Sequence, residues 1–208
     1  MRRPYANRPH VRNMIKFNPQ KHHRRSIRLP GYDYSQAGAY FVTIVAQNRE
    51  TLFGEVVNAE MKLSPFGQIA DECWRAIPEH FPNVELGAHV IMPNHVHGII
   101  LINEDDSRNN VGATQCVAPT APGIRRPKGP KQRSLGSIIG SFKSAVSHKI
   151  NKQLSATGIW QRNYYEHIIR NDREMGNIWR YIESNPAMWA EDDENPDNTP
   201  LPTEKPKP

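Results

Sequence analysis

Apolar and polar positions along this chain change period several times, and each change marks an element. Residues 39–45 are almost all β-branched, aromatic or small apolar and predict a strand, preceded by a loop between Gly31 and Gly38. Ser64-Pro65 supplies a helix cap and a proline at the first helical position. From there Phe66, Ile69, Ala70, Cys73, Trp74 and Ile77 recur at helical spacing, and Pro78 is expected to end that helix. Residues 84–92 and 95–102 predict two strands joined at Pro93-Asn94. A tight hairpin there would set Met92 and Val90 across from His95 and His97, and turn His89 to the other face. Residues 103–131 are polar, rich in Pro and Gly and aperiodic, which predicts a long loop. Ser134 caps a helix striped by Leu135, Ile138, Ile139, Phe142, Val146 and Ile150. Gly158-Ile159-Trp160 opens a strand that continues through Tyr164, Tyr165, His167, Ile168 and Ile169. The last helix starts near Asp172, buries Met175, Ile178, Trp179 and Ile182, and stops at Asn185-Pro186, because proline disfavours helix in the residue before it.

The resulting order, β-α-β-β-α-β-α, predicts an α+β fold: a ferredoxin-like split βαβ with an antiparallel sheet and helices packed mainly on one face. A length of 208 residues fits one domain with appendages. Hydrophobic content of 37% and a mean hydropathy of -0.71 leave part of that length outside any core. Residues 1–30 hold Arg2, Arg3, Arg8, Arg12, Lys16, Lys21, Arg24, Arg25 and Arg28 and no acid, and predict a basic flexible arm. The folded domain is expected over 31–189, and residues 190–208, acidic and Pro-rich, read as a disordered tail. A second basic cluster, Arg125, Arg126, Lys128, Lys131 and Arg133, follows the Pro/Gly segment. Such clusters can release counterions from a phosphate backbone, and the same composition suits a solvated tail. No apolar run is long enough for a membrane span, and the N-terminus lacks the apolar stretch of a signal peptide. Two cysteines, Cys73 and Cys116, make no disulfide framework, so a cytoplasmic location is expected.

The candidate chemistry sits on two elements. A strand repeats every two residues, so His95 and His97 share a face and could grip a divalent metal, although a histidine pair can equally be satisfied core. On the last helix, at about 100° per residue, Tyr181 lies on the shoulder of the buried stripe, with Asn185 one turn further on. A hydroxyl nucleophile and an amide oxygen would then point together. Tyr164 and Tyr165 are rival hydroxyls, but neighbours in a strand face opposite ways, and packing or base stacking suits both.

These segments carry a resemblance. Met92-Pro93-Asn94-His95-Val96-His97-Gly98 resembles the HUH signature of the single-tyrosine transposases of insertion sequences. Trp160-Gln161-Arg162-Asn163-Tyr164-Tyr165-Glu166-His167 and Tyr181-Ile182-Glu183-Ser184-Asn185-Pro186 resemble downstream blocks of the REP-associated tyrosine transposases. Arg28-Leu29-Pro30-Gly31-Tyr32-Asp33-Tyr34 and Gly38-Ala39-Tyr40-Phe41-Val42-Thr43 are also typical of that branch. The match runs from about residue 24 to 189 and leaves out both tails and the long loop. It implies that His95 and His97 are metal ligands, that Asn185 stands where such enzymes place a polar third ligand, and that Tyr181 is the nucleophile. It also implies Mg²⁺ or Mn²⁺ as cofactor, though the donor set would suit Zn²⁺ as well. The partner it implies is single-stranded DNA with hairpin or palindromic elements, nicked and rejoined through a 5′-phosphotyrosine. Arg24, Arg25, Arg28, Arg133, Lys143 and Arg162 are the expected DNA contacts, and a homodimer is left open.

Two other readings fit parts of the pattern. One is a domesticated protein that binds palindromic DNA without cutting, against which the intact His95, His97, Tyr181 and Asn185 argue. The other is an unrelated β-protein hydrolase using His-x-His, which would need a further ligand nearby.

Overall fold

The structure is a computed structural model that describes residues 29, 31–104, 131, 133–154, 158–192 and 194–198. Strand β1 (Gly38–Val45) is followed by a small hairpin, β2 (Gly54–Val57) and β3 (Glu60–Leu63), that the sequence pattern did not disclose. Both its strands are short and half exposed, so they carry little of the alternation that marks a buried strand. Then come α1 (Pro65–Arg75), α2 (Ile77–His80), β4 (Val84–Ile91), β5 (His95–Ile102), α3 (Leu135–Leu154), β6 (Tyr165–Ile169) and α4 (Asp172–Ser184). The main sheet runs β4-β5-β1-β6 and is antiparallel throughout, the strand order of a split βαβ fold. Among the described residues no helix is long and apolar enough to cross a membrane. The interior of the 103–131 segment lies outside the described residues.

Period two divides the sheet between two cores. On one face Tyr40, Val42 and Ile44 of β1 join Val96, Ile100 and Ile102 of β5 beneath α1 and α3. On the other, Phe41 and Ile99 meet Ile169 and Ile182, with Met175, Ile178 and Val90 packed around them beneath α4. Helix α1 starts where expected: Ser64 accepts a hydrogen bond from the Gly67 amide at 3.1 Å, and Pro65 follows. Pro78 does not end the helical path, since it occupies the first turn of α2, where a missing amide donor costs nothing.

The β4–β5 hairpin has the expected register, with Val90 opposite His97 and the Met92 amide donating to the His95 carbonyl at 2.8 Å. His89 does turn to the other face, where Asp71 of α1 meets its Nε2 at 2.9 Å. Between α3 and β6 the expected long strand is interrupted. Trp160 forms an isolated bridge to Ala46, and regular pairing resumes only at Tyr165. Lys143 holds the intervening carbonyls, its ammonium donating to Gln161 O and Asn163 O at 2.8 Å each.

Gly98 has an even position in β5 and therefore faces α1. A Cβ there would fall inside the indole of Trp74, which is fully buried and packs edge-on against Phe142 at 5.3 Å. Gly98→Ala is expected to destabilise the protein by about 1–3 kcal/mol or more through overpacking. The measurement is urea unfolding: the midpoint should fall at unchanged slope, and a midpoint equal to the wild type would mean that the indole is free to move aside.

Candidate metal centre and nucleophile

Odd positions of β5 face α4, so His95 and His97 lie on that side, both buried, with ring centroids 4.4 Å apart. Each ring is oriented by a neighbour. The Nδ1–H of His95 donates to Asn94 Oδ1 at 2.8 Å. The other end of that amide, Nδ2, donates to the carbonyls of Glu194 (2.7 Å) and Arg49 (3.2 Å). Because the amide nitrogen is committed as donor, its oxygen must accept, which fixes the proton on Nδ1 of His95. The Nε2 lone pair is then available, and this buried atom has no partner.

His97 is held by Thr43, whose Oγ1 lies 2.9 Å from Nδ1. Its Nε2 is 3.2 Å from the Tyr181 hydroxyl. With the ring proton on Nδ1, the phenol O–H donates to Nε2. Burial pulls His95 down to about 3, assisted by the charge of Arg49. Burial also holds His97 well below the ordinary imidazole range, His95 adding to the effect and Asp192 opposing it. Both rings are therefore neutral near pH 7, the state in which imidazole binds a metal.

Helix α4 brings the hydroxyl. Its N-terminus is fastened to β6: Asn171 accepts from the Glu174 amide at 2.9 Å, and the Glu174 carboxylate takes the Arg170 amide at 2.8 Å and His167 Nε2 at 2.6 Å. Ile182 fills the core beneath. Tyr181, the preceding residue, occupies the shoulder as expected: it is 46% exposed, yet its ring lies 5.2 Å from that of His97 and edge-on to Phe41 at 6.0 Å. Trp179, expected in the buried stripe, is instead 41% exposed, its indole N–H donating to Glu183 at 2.8 Å. The stripe is narrower than the spacing suggested: one edge of the Trp179 ring lies against Gly87 of β4 and the rest faces solvent.

Past α4 the chain continues as a 3-10 segment, Asn185–Glu191. Asn185 is buried and its Oδ1 has no partner. Asp192 follows, and its carboxylate forms a group with the imidazoles of His95 and His97 in which the ligand atoms all lie within 4.8 Å of one another. Residues 190–208 were expected as a disordered tail, but 190–192 and 194–198 fold against the site. Trp189 approaches the His95 ring at 6.0 Å, Arg49 pairs with Glu194 at 3.0 Å, and a further 3-10 turn spans Pro196–Asn198. Net acidity misled here: these carboxylates answer a buried nitrogen pair and an arginine rather than solvent. Nothing in the local sequence distinguishes Asp192 from its acidic neighbours.

The expected DNA contacts divide. Arg24, Arg25 and Arg28 lie outside the described residues. Arg162 is exposed and follows Gln161, whose amide donates to Val45 O at 3.0 Å, so it stands at the end of β1 that pairs with His95. Arg133 is exposed at the opposite end of β1, beside the start of α3. Lys143 is not an open cation: burial pulls it down to about 8 and its ammonium is spent on two backbone carbonyls. Thr43 and Asn94, which orient the two imidazoles, were not singled out by the sequence, since neither the β1–β5 register nor the path of the chain after 190 is visible in it.

No family model matches the chain. An uncharacterised protein of Haemophilus influenzae is 43% identical over 177 residues, covering 85% of this chain and 96% of its own length. A second H. influenzae protein, provisionally named a REP-associated tyrosine transposase, is 27% identical over 155 residues, covering 74% of this chain and 73% of its own. Among solved structures, a REP-associated tyrosine transposase bound to a REP hairpin has the same fold at a TM-score of 0.52 and 20% identity, over 78% of this chain and 73% of that one. The chain is thus similar to a protein provisionally named a REP-associated tyrosine transposase and shares the fold of a solved one, with the same order of motifs along the sequence.

Proposed function

We propose that this protein is a metal-dependent transposase-type enzyme that nicks and rejoins hairpin-associated single-stranded DNA, with Tyr181 as nucleophile. The observation that carries the reading is the 3.2 Å approach of the Tyr181 hydroxyl to His97, beside a buried imidazole nitrogen with no partner. A transposase role is supported by the named relatives, and hairpin DNA by the REP hairpin held in the solved one.

A divalent cation fits the donors on this face. His95 Nε2, His97 Nε2 and the Asp192 carboxylate would hold it, with Asn185 Oδ1 as a further oxygen donor. Asp192 makes this set harder than two imidazoles and an amide alone, which favours Mn²⁺ or Mg²⁺. When bound, the ion supplies positive charge to offset the phosphoryl oxygens as the phosphodiester is attacked. The remaining work falls to the chain. Phe41 and Ile182 fix the attitude of α4 and hence of the phenol. Tyr181 oxygen bonds to phosphorus and the bond to the 3′-oxygen breaks; the phenol loses a proton and the 3′-oxygen gains one. The phosphodiester energy is kept in the tyrosyl ester, so a second 3′-hydroxyl can reverse the step without ATP.

His97 Nε2 has one lone pair in the ring plane, so it is either acceptor for the phenol or ligand to the ion. Tyr181→Phe should therefore bind Mn²⁺ at least as tightly as the wild type while losing covalent chemistry completely. The test is a labelled hairpin with single-stranded flanks, incubated with Mn²⁺ or Mg²⁺ and resolved under denaturing conditions. A DNA adduct is expected for the wild type, none with chelator, and none for Tyr181→Phe. An adduct in that variant would remove Tyr181 as nucleophile. Hairpin binding with no adduct under either ion would make the protein a binder.

Asp192→Ala and Asn94→Ala are each expected to weaken Mn²⁺ binding by about 10- to 100-fold, the first by losing a donor and the second by releasing His95. Calorimetric titration checks both, and unchanged affinity in Asp192→Ala would leave Asn185 as the third ligand.

A further inference from the structure

We infer that Tyr165, half exposed on the edge strand β6, is a stacking platform for an unpaired base next to the scissile phosphate. The inference rests on the transesterase reading and names how its DNA strand is held. Tyr165 pairs with Thr43 across β1 and β6, and Thr43 pairs with His97 across β1 and β5. Thr43 turns its hydroxyl to His97, so this row lies on the site face, and directly opposed residues in antiparallel strands share a face. Two strand spacings, roughly 10 Å, therefore separate Tyr165 from His97.

Among the described residues, a strand entering this face has one open direction. Helix α4 covers the side toward β4, with Ile178 and Met175 packed among Ala88, Val90 and Phe41. Residues beyond α4 close the end next to His95, where Trp189, Asp192 and the bonds from Asn94 to Glu194 stand. The described residues leave the sheet open toward β6, its terminal strand, where Tyr165 is 50% exposed. Lys143 pins the carbonyls of Gln161 and Asn163 just before it, so the ring is offered from a fixed backbone. Exposed Arg162 adds positive charge for a phosphate on the same edge.

An aromatic face accepts any base, so Tyr165 contributes affinity without choosing sequence. Its neighbour Tyr164 serves another purpose, half-buried against the helix-side core with the Lys143 ammonium 5.9 Å from its ring centroid.

The experiment uses the full chain with chelator present, so that no cleavage occurs, and a fluorescein-labelled dT12 oligonucleotide read by anisotropy. Tyr165→Thr keeps a β-former at an exposed position and is expected to bind about 5- to 100-fold more weakly, while Tyr165→Phe stays close to the wild type. In the wild type, dT12 carrying one 5-iodouracil should photocross-link to Tyr165, located by peptide mass spectrometry, which reads the contact without any substitution. Wild-type affinity in Tyr165→Thr, or a cross-link confined to other residues, overturns the platform. A wild type that forms the phosphotyrosine adduct while Tyr165→Thr binds dT12 normally overturns only the platform. Stacking on Tyr165 with no adduct under any ion overturns only the catalytic reading.

Discussion

Successive side chains of β5 leave the sheet on opposite sides, and every residue from 95 to 102 is committed by that alternation. Odd positions place His95 and His97 beside α4, and Ile99 beneath it; even positions give Val96, Gly98 and Ile100 to the core under α1 and α3. A register slip of one residue would bury an imidazole against Trp74 and send Val96 to the site. Pairing with β1 on one side and β4 on the other prevents it, and the Pro93-Asn94 turn is held by donors from Ala46 (2.7 Å to Asn94 O) and Phe53 (2.8 Å to Pro93 O). The position of both imidazoles on one face is thus secured by packing on the other.

That arrangement has an energetic consequence. Burial keeps both imidazoles neutral, and it leaves His95 Nε2 and Asn185 Oδ1 without hydrogen bonds. An unsatisfied buried polar atom costs about 1–3 kcal/mol. A ligand that satisfies several such atoms at once in the folded state, and few in the unfolded chain, adds its binding energy to the stability of the fold. A cation held there as proposed would therefore add its binding free energy to the stability of the fold.

Much of this was legible in the sequence, and the failures share a cause. Long periodic elements were clear: β1, α1, the β4–β5 pair and α3 all follow from spacing, caps and turn residues. The side chains that meet at the candidate site could also be placed, because His95 and His97 repeat with the strand and Tyr181 stands one step off the stripe that Ile182 anchors. What escaped depends on tertiary neighbours. The β2–β3 hairpin is too short and exposed to show a pattern. Trp179 reads as buried until its neighbours are known, since only one edge of its ring meets β4, at Gly87. Lys143 reads as a DNA contact until two carbonyls, 18 and 20 residues away, are seen to occupy it. Asp192 sits among acids that look like a solvated tail, and only the return of the chain to His95 gives it a role.

Asn94 lies between those categories, inside a recognisable motif yet with a role set by distant parts of the chain. Its planar amide is stitched at both ends, the oxygen to His95 and the nitrogen to the carbonyls of Arg49 and Glu194. A rigid plane cannot turn toward one partner without turning from the others. The azimuth of the His95 ring and the lie of the chain around residue 194 are consequently one mechanical coordinate, so a displacement of the C-terminal segment would be transmitted as torque on an imidazole.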